Sequence, residues 1–140
     1  MNRPEVVVGA VARRDDELLL IRRGSPPERG LWSIPSGRVE WGEDLREALV
    51  REVYEETRLE VVVTEYLGWA ERIDIDADPP FHFVIHDFLV DVLDPTQLPV
   101  AATDALEAQW VPIHALGELA LVEGLLEFLS DTPALDPRTE

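Results

Sequence analysis

The chain has 140 residues and no cysteine, and its 29 acidic residues against 12 basic ones give a formal charge of −17 at pH 7. This length predicts one domain, and the lack of cysteine excludes disulfides, zinc–thiolate sites and cysteine nucleophiles. The strong negative charge opposes binding to DNA, RNA and anionic membranes, so a polymeric nucleic-acid partner is not expected.

The hydropathy pattern predicts a cytoplasmic protein with no membrane segment. No apolar run approaches the roughly 20 residues that a membrane span needs, and the start, MNRPEVVV, lacks the basic region and long apolar core of a signal peptide. The acidic surface also opposes a small anionic substrate. A bridging cation is therefore expected wherever such a substrate binds.

The first part of the chain predicts a β-hairpin followed by a loop. Residues 5–13 and 17–23 are apolar, and the polar turn 14–16 joins them. Residues 24–30 contain two prolines and two glycines, which predicts a loop, and residues 31–34 form a short apolar piece after it. At the end of the second strand, Arg22 and Arg23 are candidates for binding substrate phosphates; the alternative is that both are surface arginines.

A helix with an acidic side is predicted to begin after Asp44. Asp44 is a favourable N-cap, and Glu47 three residues later completes a capping box. At about 100° per residue, Glu52, Glu55 and Glu56 fall on the same side as the apolar residues of the first turns. Half-buried carboxylates need a counter-ion, and ligand sets made only of oxygen suit Mg²⁺ or Mn²⁺. The alternative is a solvated acidic face.

Residues 37–59, GRVEWGEDLREALVREVYEETRL, resemble the Nudix box, the signature of the Nudix hydrolase superfamily, which includes MutT-like proteins. The resemblance is carried by the spacing of Gly37, Glu43 and the run Arg51-Glu52-Val53-Tyr54-Glu55-Glu56. Two positions depart from the pattern, since Arg58 and Ser36 stand where relatives have glycine. A non-glycine residue in the left-handed conformation at the helix end costs on the order of 1 kcal/mol.

The resemblance implies roles for the residues of the box. Glu52, Glu55 and Glu56 would hold one or more Mg²⁺ or Mn²⁺ ions, with the carbonyl of Gly37 as a further ligand. Arg51 would orient these acids by ion pairing, with Glu43 as its partner or as a minor metal ligand.

The resemblance also implies which residues would act as the base and which would contact the substrate. Glu52, or a second acid at Asp104 or Glu107, would deprotonate the attacking water, so these residues and Glu55 and Arg51 are the catalytic candidates. The alternative for Asp104 and Glu107 is an ordinary polar loop. Trp32 is a candidate for contact with substrate, although in relatives the tryptophan more often packs the loop.

The second half of the chain predicts three strands and one helix. The strands are expected at residues 60–73, 81–91 and 107–113, separated by an acidic turn and by a proline-containing loop at 94–104. The helix is expected at residues 114–129, with its core-facing residues at helical spacing: Leu119, Val122 and Leu126. Within the first two strands, Glu71, His82 and His86 are candidates for contact with substrate, against the alternatives of packing or surface positions.

Together these elements predict an α+β domain over residues 1–130 and a flexible C-terminal tail over 131–140. Strands alternating with two helices indicate a mixed β-sheet sandwiched between α-helices, which is also the Nudix fold that the resemblance implies. A homodimer is also expected, and the family resemblance is the one ground for that expectation.

The predicted reaction is hydrolysis of the diphosphate linkage of a nucleoside diphosphate derivative, giving a nucleoside monophosphate and a second phosphorylated product. The stretch FHFVIHDF and the later Trp110-Val111-Pro112 resemble the branch assigned to ADP-ribose-type substrates. Candidates for stacking on the base are Trp32, Trp41, Trp69 and Phe83. The alternatives are a nucleoside triphosphate pyrophosphatase of the house-cleaning type and a nucleotide-binding module without turnover.

Overall fold

A computed structural model describes residues 2–137 of the chain. The strands are β1 (Glu5–Arg14), β2 (Glu17–Arg23), β3 (Trp32–Ser33), β4 (Ser36–Arg38), β5 (Val61–Asp74), β6 (Phe81–Val92) and β7 (Ala105–Pro112). The α-helices are α1 (Leu45–Thr57) and α2 (Leu125–Ser130), and short 3₁₀ helices occupy Ile113–Glu118 and Pro133–Leu135. The predicted hairpin, acidic helix and later strands are thus confirmed to within two residues at each end.

The strands of residues 2–137 form one mixed sheet in which β1 is the central element. Its main path runs β3-β2-β1-β6-β5, with β4 also paired to β1 and β7 to β2. The β1–β6 pair is parallel and the other pairs are antiparallel. Because β4 pairs with β1, the segment that enters α1 is fixed against the middle of the sheet, from Val7 opposite Arg38 to Gly9 opposite Ser36.

Helical elements cover both faces of the sheet, as the predicted sandwich requires. On one face, Ala48, Leu49 and Val53 of α1 pack into a buried cluster with alternate residues of β1. On the other face, Leu125 and Leu129 of α2 join a second buried cluster. The sheet therefore separates two apolar cores, and α1 lies on one side of it.

Both ends of α1 follow from its sequence. Asp44 Oδ1 accepts a hydrogen bond of 2.8 Å from the Glu47 N–H, which is the predicted N-cap. At the other end Arg58 has φ 64° and ψ 10°, and its N–H donates to the Tyr54 carbonyl. Arg58 thus occupies the left-handed conformation that glycine adopts most readily.

The predicted helix over residues 114–129 is wrong. A 3₁₀ helix ends at Glu118, extended chain follows, and α2 starts only after Gly124, which has φ 82°. The extended part forms backbone hydrogen bonds with Trp32, whose N–H donates to Ala120 and whose carbonyl accepts from Val122. Strand-like pairing therefore replaces helical hydrogen bonds in the middle of this segment.

This change of conformation also changes which residues face the core. Leu126, expected in the core, is 37% exposed, whereas Leu125 and Leu129 are buried. Leu119 and Val122 are partly buried against the second cluster, as expected.

The start of the predicted flexible tail is packed against β1. Arg13 donates hydrogen bonds to the carbonyl oxygens of Ala134 (3.0 Å) and Asp136 (2.5 Å), and Ala134 is buried. Residues 138–140 of that tail lie outside the described residues. Across the part of the chain that is described, no helix has the length and apolar character needed to cross a membrane.

Candidate active site

Arg51 connects the acidic residues of α1 and of the loop before it. Its Nε and Nη2 donate to the two carboxylate oxygens of Glu43 at 2.7 and 2.8 Å. Its Nη1 contacts Glu52 at 2.8 Å and Glu55 at 3.3 Å, and its Nη2 also donates to the Arg38 carbonyl at 3.0 Å. One guanidinium thus fixes the relative positions of three carboxylates.

These contacts change the protonation of Arg51 and Glu43. Hydrogen bonds from Arg51 lower the pKa of Glu43 to about 2, and the bonds with Glu43 raise the pKa of the Arg51 guanidinium above its ordinary value. Glu43 is therefore ionised at neutral pH and holds Arg51 in place through two parallel hydrogen bonds.

Glu52 occupies space that Gly37 leaves free. A Cβ on residue 37 would overlap the Glu52 carboxyl group, so that only glycine permits this contact. Burial raises the pKa of Glu52, while the hydrogen bond from Arg51 acts in the opposite direction. β4 and α1 thus meet at a partly buried carboxylate whose charge a cation would stabilise.

Glu56 has a strongly raised pKa. Burial raises its pKa to about 8, although the Ser36 N–H donates a hydrogen bond of 2.8 Å to its Oε1. The negative charges of Glu52 and Asp104 raise the pKa further, and the positive charge of Arg23 lowers it. Glu56 therefore lies within electrostatic reach of two other acids and one arginine.

The metal ligands implied by the box are bound to other protein groups in this structure. Among residues 2–137, no three aspartate, glutamate or histidine side chains form a ready-made metal group. Arg51 binds Glu52 and Glu55, and the Ser36 N–H binds Glu56. The donor set still fits Mg²⁺ or Mn²⁺ in its chemistry, since it offers only oxygen and burial disfavours the unneutralised charges.

A cleft of about 820 Å³ opens beside this group of acids. Ser36, whose N–H binds Glu56, lines the cleft, as does Arg23 at the end of β2. One wall is formed by alternate residues of β6, with the rings of Phe81 and Phe83 stacked at 5.1 Å between centroids. The cleft is large enough for a nucleotide, and Glu56 is connected to it through Ser36.

The structure places some of the substrate-binding candidates in the cleft. Arg23 lines it, and burial lowers the pKa of its guanidinium. Glu71 also lines it, with its Oε2 2.9 Å from Nε2 of His82. His86 instead lies 2.9 Å from the Tyr66 hydroxyl and does not line the cleft.

Other candidates are engaged elsewhere. Arg22 donates to Glu107 at 3.1 Å across the β2–β7 pair and to the Gly30 carbonyl, so these two candidates bind each other. Trp32 packs against the second apolar cluster and does not line the cleft. Of the stacking candidates, Phe83 lines the cleft, whereas Trp41 and Trp69 are exposed on the surface.

Asp104 and Glu107, the two candidates for an additional acid, differ in position. The Asp104 carbonyl accepts a hydrogen bond of 2.9 Å from the Gly24 N–H, which fixes the loop before β7 next to the end of β2. Its charge raises the pKa of both Glu56 and Arg23. Asp104 therefore lies near the helix acids, whereas Glu107 is paired with Arg22.

Three cleft residues were missed by the sequence reasoning. Arg72 pairs with Glu28, and the Glu28 carboxylate also accepts the Glu123 N–H at 2.8 Å, which joins the two sides of the cleft. Asp87 lines the cleft but is buried. A usable signal existed for Asp87, because its period-2 relation to Phe83 and Ile85 puts all three on one face of β6.

Comparisons with known proteins agree with the fold. Residues 3–131 match the NUDIX domain family. The chain belongs to the Nudix hydrolase family and is a Nudix pyrophosphohydrolase, an enzyme that acts on pyrophosphate bonds of nucleotide substrates. Members of this family are typically dependent on divalent metal ions.

Individual relatives are similar over most or part of the chain. An ADP-ribose pyrophosphatase of Methanocaldococcus jannaschii is 38% identical over 117 residues, which is 84% of this chain and 67% of that protein. A CTP pyrophosphohydrolase of Escherichia coli is 42% identical over 67 residues, or 47% of this chain and 50% of that protein. The crystal structure of a MutT NUDIX hydrolase from Burkholderia pseudomallei superposes with a TM-score of 0.79 at 27% identity, covering 92% of this chain and 98% of that one.

Proposed function

We propose that the protein hydrolyses the diphosphate linkage of a nucleoside diphosphate derivative, such as ADP-ribose or a nucleotide sugar, in the presence of Mg²⁺ or Mn²⁺. The products are a nucleoside monophosphate and a second phosphorylated compound. The observation that carries this proposal is the group of α1 carboxylates, in which Arg51 contacts Glu52 and Glu55, and Ser36, which lines a nucleotide-sized cleft, binds Glu56.

The metal ions would be held by Glu52, Glu55 and Glu56, with the Gly37 carbonyl as a further ligand. Once bound, they would neutralise phosphate charge, lower the pKa of a bound water and stabilise the leaving oxygen. Arg51 is the positioning residue, because its two hydrogen bonds to Glu43 anchor the guanidinium that contacts Glu52 and Glu55.

A base close to the proposed metal ligands must accept the proton of the attacking water. Glu52 is one candidate, since its pKa is raised by burial and its carboxyl group is fixed against Gly37. Asp104 is the other, since it lies near Glu56. Glu107 is less suited, because its carboxylate is paired with Arg22.

Substrate phosphates would bind through Arg23, whose guanidinium lines the cleft near Glu56. Phe83 offers a flat apolar surface for the base further along the same wall, and Glu71 is available for a substrate hydroxyl. The similarity to the archaeal ADP-ribose pyrophosphatase supports a substrate with a group beyond the second phosphate. The partial similarity to the E. coli CTP pyrophosphohydrolase supports nucleoside triphosphates as the second candidate class.

The test is a substrate panel with separation of the products. ADP-ribose, nucleotide sugars and nucleoside triphosphates are incubated with the protein with and without Mg²⁺ or Mn²⁺. Metal-dependent formation of AMP and ribose 5-phosphate from ADP-ribose supports the proposal, whereas release of pyrophosphate from triphosphates alone favours the second candidate class. No turnover of any compound would overturn both.

Two variants test whether any turnover in the panel depends on the proposed metal ligands. Glu55→Gln removes one proposed ligand and is expected to lower turnover by at least about 100-fold. Glu60→Gln makes the same chemical change at an exposed glutamate outside the site and is expected to leave turnover unchanged.

A further inference from the structure

Asp87 carries a buried carboxyl group that the proposed reaction does not use. The residue is 6% exposed, and its Oδ1 has no hydrogen-bond partner within the described chain. Burial alone raises its pKa to about 6, so no charged group of the protein compensates it. Such an orphaned acceptor destabilises the folded protein, and an apolar residue of similar size would avoid that cost.

The position of Asp87 points to a ligand as the partner of its carboxyl group. It lines the cleft on the same face of β6 as Phe83 and Ile85. Its Oδ1 is packed against Gly9, where a Cβ would overlap it, and has almost no accessible surface, so the second carboxylate oxygen is the one that a ligand in the cleft would reach. The surrounding wall is apolar, with Ile34 and Leu125 also lining the cleft. A planar, largely apolar group with one polar edge fits such a wall.

The other acids that line the cleft do not offer the same site. Glu28 is paired with Arg72, and the Glu71 carboxylate lies 2.9 Å from His82. The remaining ones are exposed at the rim: Asp74, Asp78 and Glu123. Among the described residues that line the cleft, Asp87 is thus the one acid that is both buried and unpartnered.

We propose that Asp87 accepts a hydrogen bond from the exocyclic amino group of the substrate's base and so selects nucleotides whose base carries an amino group. This inference rests on the proposed function, since it assigns a base-recognising residue to the same cleft. A hydrogen bond to a charged or buried acceptor in an apolar wall is worth more than one at the surface. A nucleotide without the amino group leaves Asp87 unpartnered and binds more weakly.

The test combines a change in the ligand with a change in the protein. AMP and purine riboside 5′-monophosphate differ only in the 6-amino group, and their dissociation constants are measured by calorimetry without metal. The wild-type protein is expected to bind AMP at least about tenfold more tightly than the analogue. In Asp87→Val this ratio is expected to fall close to one, and Asp78→Val, at an exposed position on the cleft rim, is expected to keep the wild-type ratio.

Asp87→Asn keeps the shape of the side chain and serves as a second variant if the valine variant fails to fold. We expect it to reduce the ratio of the two dissociation constants at least threefold. An unchanged ratio in the folded Asp87 variants, or equal binding of both nucleotides by the wild type, overturns the inference. Because binding is measured without turnover, this failure is distinct from that of the proposed function. If the protein hydrolyses ADP-ribose but the Asp87 variants keep the wild-type preference for AMP, the proposed function stands and the role of Asp87 in base recognition is wrong.

Discussion

The carboxyl group of Glu52 lies directly against Gly37, in the space that a Cβ on residue 37 would occupy. The contact joins β4 to α1 and sets where one of the three helix carboxylates can be. Glycine at this position is therefore required by the side chain opposite it, because β4 is extended and the turn itself imposes no left-handed conformation.

Gly37→Ala is expected to displace Glu52 and to lower kcat by about 100-fold with little loss of fold, since a shift of about 1 Å in a catalytic group has that effect. Steady-state kinetics and circular dichroism measure the two quantities. Gly117→Ala is the matched control, because a Cβ there meets no atom within 4 Å. Wild-type kcat in Gly37→Ala would show that the position of Glu52 is unimportant.

The stability of the protein is expected to depend on Glu56 and on metal. Because burial raises its folded pKa from 4.5 to about 8, the stability it contributes is complete below pH 4.5 and is lost as pH rises towards 8. Wild type should therefore lose at least about 1 kcal/mol relative to Glu56→Gln between pH 5 and pH 8.

Mg²⁺ should reverse this difference, since a bound cation neutralises the buried carboxylate. Thermal melts at pH 8 are expected to show a rise in Tm with Mg²⁺ in wild type and a smaller rise in Glu56→Gln. Parallel pH profiles for the two proteins, with equal responses to Mg²⁺, would contradict the assignment.

Arg51→Lys tests whether the shape of the guanidinium is needed in addition to its charge. Arg51 binds both oxygens of Glu43 while also reaching Glu52 and Glu55, and an ammonium group cannot form these contacts together. We expect kcat/KM to fall by about 10- to 100-fold and the apparent affinity for Mg²⁺ to fall with it. If Arg51→Lys has the same kinetics as the wild type, the charge of Arg51 is sufficient and the shape of its guanidinium is not needed.

Arg58→Gly is expected to stabilise the protein by about 1 kcal/mol, because residue 58 holds a left-handed conformation that costs a side chain more than it costs glycine. The gain is reduced by loss of the contact between the Arg58 guanidinium and the Tyr54 ring, 5.4 Å from its centroid. Arg58→Ala loses the same contact without relieving the backbone and serves as the control. Urea denaturation measures both, and a destabilised glycine variant would contradict the argument.

Local sequence signals were sufficient for the elements that do not depend on distant residues. The capping box at Asp44 and Glu47 set the start of α1, and the polar turn at 14–16 set the hairpin. The spacing of the box residues likewise placed Arg51 and the three glutamates on one helix. These features are encoded within a few residues of each other, so the sequence alone predicts them.

Features that depend on tertiary contacts could not be predicted in this way. The helix expected at 114–129 is interrupted because residues 120 and 122 bind the backbone of Trp32, which lies far away in the sequence. Arg22 and Arg23 are adjacent and look equivalent, but the pairing of β2 with β7 turns Arg22 to Glu107 and leaves Arg23 for the cleft. For Asp87, the alternation within β6 indicates which face it lies on, but its contact with Gly9 of β1 depends on the pairing of distant strands.

We propose that Glu52, Glu55 and Glu56 bind divalent metal, and titration with Mn²⁺ followed by electron paramagnetic resonance measures that binding. Because the chain carries a charge of −17, weak binding of Mn²⁺ to the surface needs its own control. The control is a variant with three exposed glutamates changed to glutamine: Glu60, Glu118 and Glu127. We predict tight Mn²⁺ binding in wild type and in this control, and at least about tenfold weaker binding when Glu52, Glu55 and Glu56 are changed together. Equal Mn²⁺ binding by the two triple variants would contradict the account.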